Sequence, residues 1–235
     1  AACGTLDGAA RVPLLAEVTP HPDAPSCGPS CWRRIDGLAL LEQRPSGDLA
    51  LQLAVHGLAP GETARWSVRT GFVCPAYFDK LGRLVPLDVG TPAMPEYEGT
   101  LEADGDGGAS LSWETNTKFA DGLRGHVLLL SDVEGAPLAC GPLEPSRSLV
   151  AIVGGAIVVV APAECGVAVR VAGAPSDAVK IEGLEDAASA DLGELHGRVV
   201  TIEGLPGSGT LEGPRPEAPP GAAGRCIDDA GALGA

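Results

Sequence analysis

Lysine is nearly absent from this 235-residue chain: its 16 Lys+Arg include three lysines and stand against 31 Asp+Glu. The formal net charge is −15 at pH 7, and no basic run exceeds Arg33–Arg34. Nucleic-acid binding draws on phosphate neutralisation by a basic surface, so nucleic acid is not an expected partner, and neither is an anionic membrane surface. The acidity is read as serving solubility. Aromatic residues make up only 3% of the chain, and much of its 45% apolar content is alanine, so the core must come from valine and leucine. No stretch reaches the ~18–20 apolar residues of a membrane-spanning helix. The longest, "LVAIVGGAIVVVAPA" (149–163), is interrupted by Gly154–Gly155 and reads as a tight hairpin between two β-branched runs. A sustained apolar period of 3.6 is also missing, so helices should be few.

Catalytic signatures are scarce as well. There is no Gly-x-Ser-x-Gly motif, and "GLPGSGT" (204–210) has neither the lysine nor the following helix of a phosphate loop. The four histidines, at 21, 56, 126 and 196, form no cluster. "EADGDGG" (102–108) offers paired aspartates, but the match to a calcium loop fails beyond Asp104 and Asp106, leaving a solvated hairpin turn as the expectation. Trp32, Trp66 and Trp113 are expected to anchor the core, with a carbohydrate platform as the alternative.

What the chain does have is glycine (33), proline (21) and short alternating segments. Strand signals recur at 38–44, 48–58, 64–70, 107–115 and 124–132, separated by turn signals such as "RPSGD", "APGE", "ADGDGG" and "EGAP". Regular short strands with such turns predict an antiparallel all-β sandwich or barrel. A second block of strand signals follows at 149–153, 156–161, 166–172, 178–182, 198–203 and 209–212. Within it, "VKIEGLE" (179–185) and "VTIEGLP" (200–206) repeat at a 21-residue offset, too few copies for a repeat architecture. "EGLEDAASADLGE" (182–194) reads as an acidic loop or one short helix. The expected division is a loop-like, Pro-rich, Cys-containing extension (1–35), a β-barrel (36–146), a small β domain (147–212) and a Pro/Gly-rich tail (213–235).

Seven cysteines stand at 3, 27, 31, 74, 140, 165 and 226, without zinc-ribbon spacing. Their scatter points to an oxidising compartment with one cysteine left over. "AACG" around Cys3 resembles the end of a bacterial lipoprotein signal, which makes Cys3 a lipid-anchor candidate; a structural or intermolecular disulfide is the alternative. "CGPSCW" (27–32) resembles a Cys-Gly-Pro-Cys redox loop with one residue too many and no preceding strand, so a short-loop Cys27–Cys31 bond or two separate bonds is preferred to a redox centre. Cys165 and Cys226 can tie the tail back to the second block.

Taken in order, five pieces of the first block resemble the copper/zinc superoxide dismutase family: "VHGLAPGE" (55–62), "RWSVRTGFVC" (65–74), "YEGTLEADGDGGASLSW" (97–113), "RGHVLLLSD" (124–132) and "PLACGPLE" (137–144). The resemblance covers under half of the chain. It implies an eight-stranded Greek-key barrel and a disulfide between Cys74 and Cys140. It also places the family's metal ligands, and there the ligands are missing: the copper-binding pair falls on Ser67 and Arg69, one zinc histidine on Tyr97, the zinc aspartate on Thr100 and the late copper histidine on Ser131. The bridging histidine falls loosely near Tyr77, and the family's superoxide-attracting arginine falls near Pro137. Copper and zinc need imidazole, thiolate or carboxylate donors, so these positions predict no metal, no cofactor and no dismutation. His56 lies on a solvent-facing alternation, and His126 stands where the family has an arginine.

The expected role is therefore non-catalytic. The chain reads as a secreted, periplasmic or cell-surface structural or binding protein, with a protein partner or self-assembly as a filament or coat subunit, and with membrane contact only through a lipid anchor. One form of assembly has the first 35 residues reach into a neighbour as an added strand. The alternative from another class is a metal-carrying or thiol-redox envelope protein that uses an unrecognised site such as Cys27/Cys31.

Overall fold

A computed structural model of the chain describes residues 12–20, 35–44, 46–74, 77, 78, 81, 84, 85, 90–94, 96–116, 121–163, 166–174, 178–184 and 190–214. The strands of the first block are β1 (Leu14–Pro20), β2 (Asp36–Gln43), β3 (Leu49–His56), β4 (Thr63–Arg69), β5 (Tyr77–Phe78), β6 (Leu84–Val85), β7 (Glu98–Glu102), β8 (Ala109–Thr115), β9 (Val127–Ser131), β10 (Pro137–Pro142) and β11 (Glu144–Pro145). Apart from the small β5–β6 hairpin, they form one antiparallel sheet in the order β7-β4-β9-β10-β1-β2-β3-β8, with β11 also paired to β1. The ends β7 and β8 come alongside one another without a ladder, so the sheet curls into a nearly closed barrel. With β7 beside β8, the local order β9-β4-β7-β8 is a Greek key: three successive strands, and a fourth that returns beside the first.

Alternation along the strands sorts the side chains. Leu49, Leu51, Leu53 and Val55 of β3, Trp66 and Val68 of β4, and Leu128 and Leu130 of β9 fill the barrel interior. The residues between them face outward, as a period of two requires. Two hairpins close with the same turn. In β7–β8 the amide of Asp104 donates to the Gly108 carbonyl (2.7 Å), and in β9–β10 that of Asp132 donates to the Ala136 carbonyl (2.9 Å). In each, Oδ1 of the aspartate accepts from the amides two and four residues on, at 2.8–2.9 Å. Gly107 (φ 81°) and Gly135 (φ 93°) supply the left-handed residue such loops need. The "EADGDGG" carboxylate is thus spent on its own backbone, as a hairpin turn.

The second block contributes β12 (Leu149–Val153), β13 (Ala156–Pro162), β14 (Val167–Ala172), β15 (Val179–Ile181), a short helix α1 (Leu192–Leu195), β16 (Val199–Ile202) and β17 (Gly209–Thr210). The hairpin expected at 149–163 is present: Val153 pairs with Ala156 across Gly154–Gly155. Both glycines have positive φ (57° and 93°), the requirement of a type I′ turn. Two three-stranded sheets, β12-β13-β14 and β15-β16-β17, share a second core of valine, leucine and isoleucine. The two similar segments pair with each other, Val179 opposite Ile202 and Ile181 opposite Val200. They leave through matching turns, Leu184 donating to Ile181 and Leu205 to Ile202, both at 3.1 Å.

β13 explains the near-continuous apolar run. Ala156, Val158 and Val160 face the second core, while Ile157 and Val159 face the barrel, where they meet Leu38 and Leu40 of β2 and Ala54 of β3. A strand covered on both faces has no polar side to alternate with. Val150 of β12 and Ala172 of β14 complete this contact, and Arg170 of β14 forms an ion pair with Glu17 of β1.

One expectation changes. Residues 14–20 are not part of a loop-like extension: β1 sits in the barrel wall between β10 and β2, burying Leu14, Ala16 and Val18. The alternation "LLAEVTP" is a strand signal masked by the prolines around it, and in this structure β1 serves its own barrel. Of the two readings of 182–194, the described residues show one short helix, the single turn of α1, capped by the Asp191 side chain accepting from the Gly193 amide (2.7 Å).

Candidate functional site

The site to test is the outer face of β7-β4-β9-β10, where the resemblance puts the metal ligands. On β4 the inward residues are Trp66 and Val68, which turns Arg65, Ser67 and Arg69 outward. The ladder then sets their neighbours. Arg65 lies between Thr100 and Ser131, Ser67 between Glu98 and Leu129, and Arg69 opposite Val127. Ser67, Arg69, Thr100 and Ser131 therefore share one face. Tyr97 does not: it is buried in the barrel interior, with its ring edge-to-face with Trp113 at 5.8 Å, while Trp113 meets Trp66 at 5.3 Å. These three aromatics lie in the barrel core beside the β7/β8 seam, which gives Trp66 and Trp113 the anchoring role expected of them. Trp32 lies outside the described residues.

The face carries little ligand chemistry. Ser67, Thr100 and Ser131 are neutral hydroxyls, poor donors to copper or zinc. Arg69 brings a permanent cation, and its Nη2 is committed to the Gly90 carbonyl at 2.7 Å. That bond belongs to a return segment laid along β4: Thr70 donates to the Thr91 carbonyl (2.8 Å), Ala93 to that of Val68 (2.8 Å), and Val68 to that of Tyr97 (2.9 Å). Arg69 is thus a clasp for 90–97 where the family would use a ligand. Among the described residues no group of three or more His, Cys, Asp or Glu is arranged to hold a metal ion.

The same face carries the disulfide. Cys74 and Cys140 are bonded, with Cα atoms 6.0 Å apart and a sequence separation of 66. Together with Val127 and Leu129 they form a small apolar cluster outside the barrel wall. Beside it, Phe72 is 64% exposed and lies edge-to-face with His126 at 5.6 Å. Burial pushes the His126 pKa below its usual value, and its Nδ1 is buried with no hydrogen-bond partner. His56 is exposed at the end of β3, and His196 ends α1. Cys3, Cys27, Cys31, Cys165, Cys226 and His21 lie outside the described residues, and so does the Cys27/Cys31 pair as a redox candidate.

One group of ionisable side chains was not legible in the sequence. Outward-facing Glu42 on β2 has its pKa raised, first by burial and then by the charge of Glu212, with Arg44 acting in the opposite sense. Glu42 and Glu212 come from the two different blocks, and nothing in their local sequence links them.

No protein-family model matches this chain, and no curated protein is similar to it.

Proposed function

We propose that this chain is a non-catalytic secreted or envelope-anchored structural or binding protein, built on a metal-free scaffold of the copper/zinc superoxide dismutase kind, with self-assembly into a filament or coat as its most specific form. The observation that carries this reading is the use made of the ligand positions: Arg69 clasps Gly90, and Tyr97 packs into the barrel core. Both residues serve the scaffold in places where the family needs imidazoles. The nearly closed Greek-key barrel and the Cys74–Cys140 bond support the resemblance, and the disulfide supports an oxidising compartment.

Titration of the full chain with Cu²⁺ and with Zn²⁺, followed by calorimetry, tests the proposal. The expected result is no stoichiometric binding at micromolar protein. One-to-one binding with a sub-micromolar Kd would overturn it, and Cys27→Ser/Cys31→Ser variants would then show whether that pair is the site.

A further inference from the structure

At the rim of the contact between barrel and second block stand two exposed carboxylates, Glu42 and Glu212, with the charge of the second acting on the first. Along β2, Ala39 and Leu41 enter the barrel core, while Leu38 and Leu40 face out into the contact. Glu42 is the next outward position. On the other side, Glu212 pairs with Val150 through two backbone hydrogen bonds, Val150 donating at 2.8 Å and Glu212 donating at 2.9 Å. Directly opposed residues of an antiparallel pair point to the same face. Val150 faces the barrel, and Leu211 is buried in the second core, so Glu212 is turned toward the barrel beside Glu42.

The surroundings offer little to offset this pairing. Glu42 lies opposite Ala50 on β3, and beyond Ala50 stands Glu114 on β8. Diagonal to Glu42 on the β3 side are Gln52 and Asp48, whose Oδ2 accepts from the Ser46 hydroxyl at 2.7 Å. Among the described residues the cation acting on Glu42 is Arg44, and its guanidinium is already engaged by Glu114 at 2.5 Å.

We infer that Glu42 forms a proton-linked latch with Glu212: with both carboxylates charged they repel across the rim of the contact, and protonation of Glu42 lets the second block seat more tightly on the barrel in mild acid. The direction follows from linkage. An acid that holds its proton more strongly when folded than when unfolded makes the folded state gain stability as pH falls toward the ordinary glutamate range. The latch thus opposes docking at neutral pH and releases that opposition on acidification.

Thermal unfolding of the full chain and of its Glu42→Gln and Glu212→Gln variants, from pH 7.5 down to 4.5, tests this. At pH 7.5 either variant should melt about 1–2 °C above the parent, the scale of one exposed charge pair in a chain of this size. That gain should shrink toward zero as the pH approaches 4.5, and 1 M NaCl should reduce it at pH 7.5. The double variant should add nothing to either single one, because each removes the same repulsion. Variant and parent curves that stay parallel across the pH range would overturn the latch, as would additive effects of the two substitutions.

Discussion

The two outer faces of the barrel are covered in different ways, and the difference shows what each cover depends on. Over β2 and β3 the cover is a second folded block, seated through Leu38, Leu40, Val150, Ile157 and Val159, with Ala54 and Ala172 between them. Over β9 and β10 it is a segment tied down by the Cys74–Cys140 bond, with Val127 and Leu129 as the apolar partners of the two cysteines and hydrogen bonds to β4 holding its return. The first cover draws on area removed from water, roughly 1.5–3 kcal/mol for each large aliphatic side chain. Among the described residues the second face shows the four-residue cluster around the disulfide, and the bond itself contributes on the order of 4 kcal/mol for a loop of this length in a chain-entropy model.

Removing the bond is the harshest way to separate the two faces. Cys74→Ser/Cys140→Ser should cost about 2–5 kcal/mol in urea unfolding. Native-state hydrogen exchange should quicken chiefly in β9, β10 and residues 90–97, while β2, β3 and β13 keep most of their protection. Equal loss on both faces would mean that the covers are coupled through the barrel.

The converse is Ile157→Ala, which hollows the aliphatic contact and leaves the disulfide in place. It should cost about 2–4 kcal/mol, the range for a large buried aliphatic cut to alanine. Here the faster exchange should appear in β12–β14 and on β2 and β3, and the Cys74–Cys140 bond should stay as slow to reduce as in the parent.

These faces are not equally readable from sequence. The strands can be read because each half-buried strand alternates, and because turns such as Gly154–Gly155 have few other uses. The run at 156–161 signals a strand but not its partner, since an apolar residue does not say which of two cores it enters. β1 is hidden because Pro13, Pro20 and Pro22 frame it, and proline punctuation outweighs a short alternation. On the clipped face, Ser67, Arg69, Thr100 and Ser131 do share a surface, since residues with one parity on adjacent strands must. Tyr97 obeys the same rule with the opposite parity: Val68 donates to its carbonyl, so it continues the β7 register opposite inward-facing Val68, and like Leu101 it turns into the core. Glu42 and Glu212 lie beyond any local signal, because only tertiary docking brings their charges together.

The smallest effect sets the two faces against each other in acid. His126 lies on the clipped face beside Phe72, and burial holds its pKa below the usual value near 6.5. The unfolded chain therefore takes up a proton at a pH where the folded chain still resists it. Its contribution is complete above pH ~6.5, and stability falls as the pH drops from there toward the lowered folded value. Glu42 acts in the reverse sense as the pH falls toward the glutamate range. His126→Phe keeps an aromatic ring against Phe72 but cannot titrate, so between pH 7.5 and 5.5 its melting temperature should fall less than that of the parent. The change should also be local: exchange in β9 of the parent should quicken over that interval, and in the variant it should not. Equal pH slopes in the two proteins would leave the clipped face indifferent to acid and the Glu42–Glu212 side as the only one that responds.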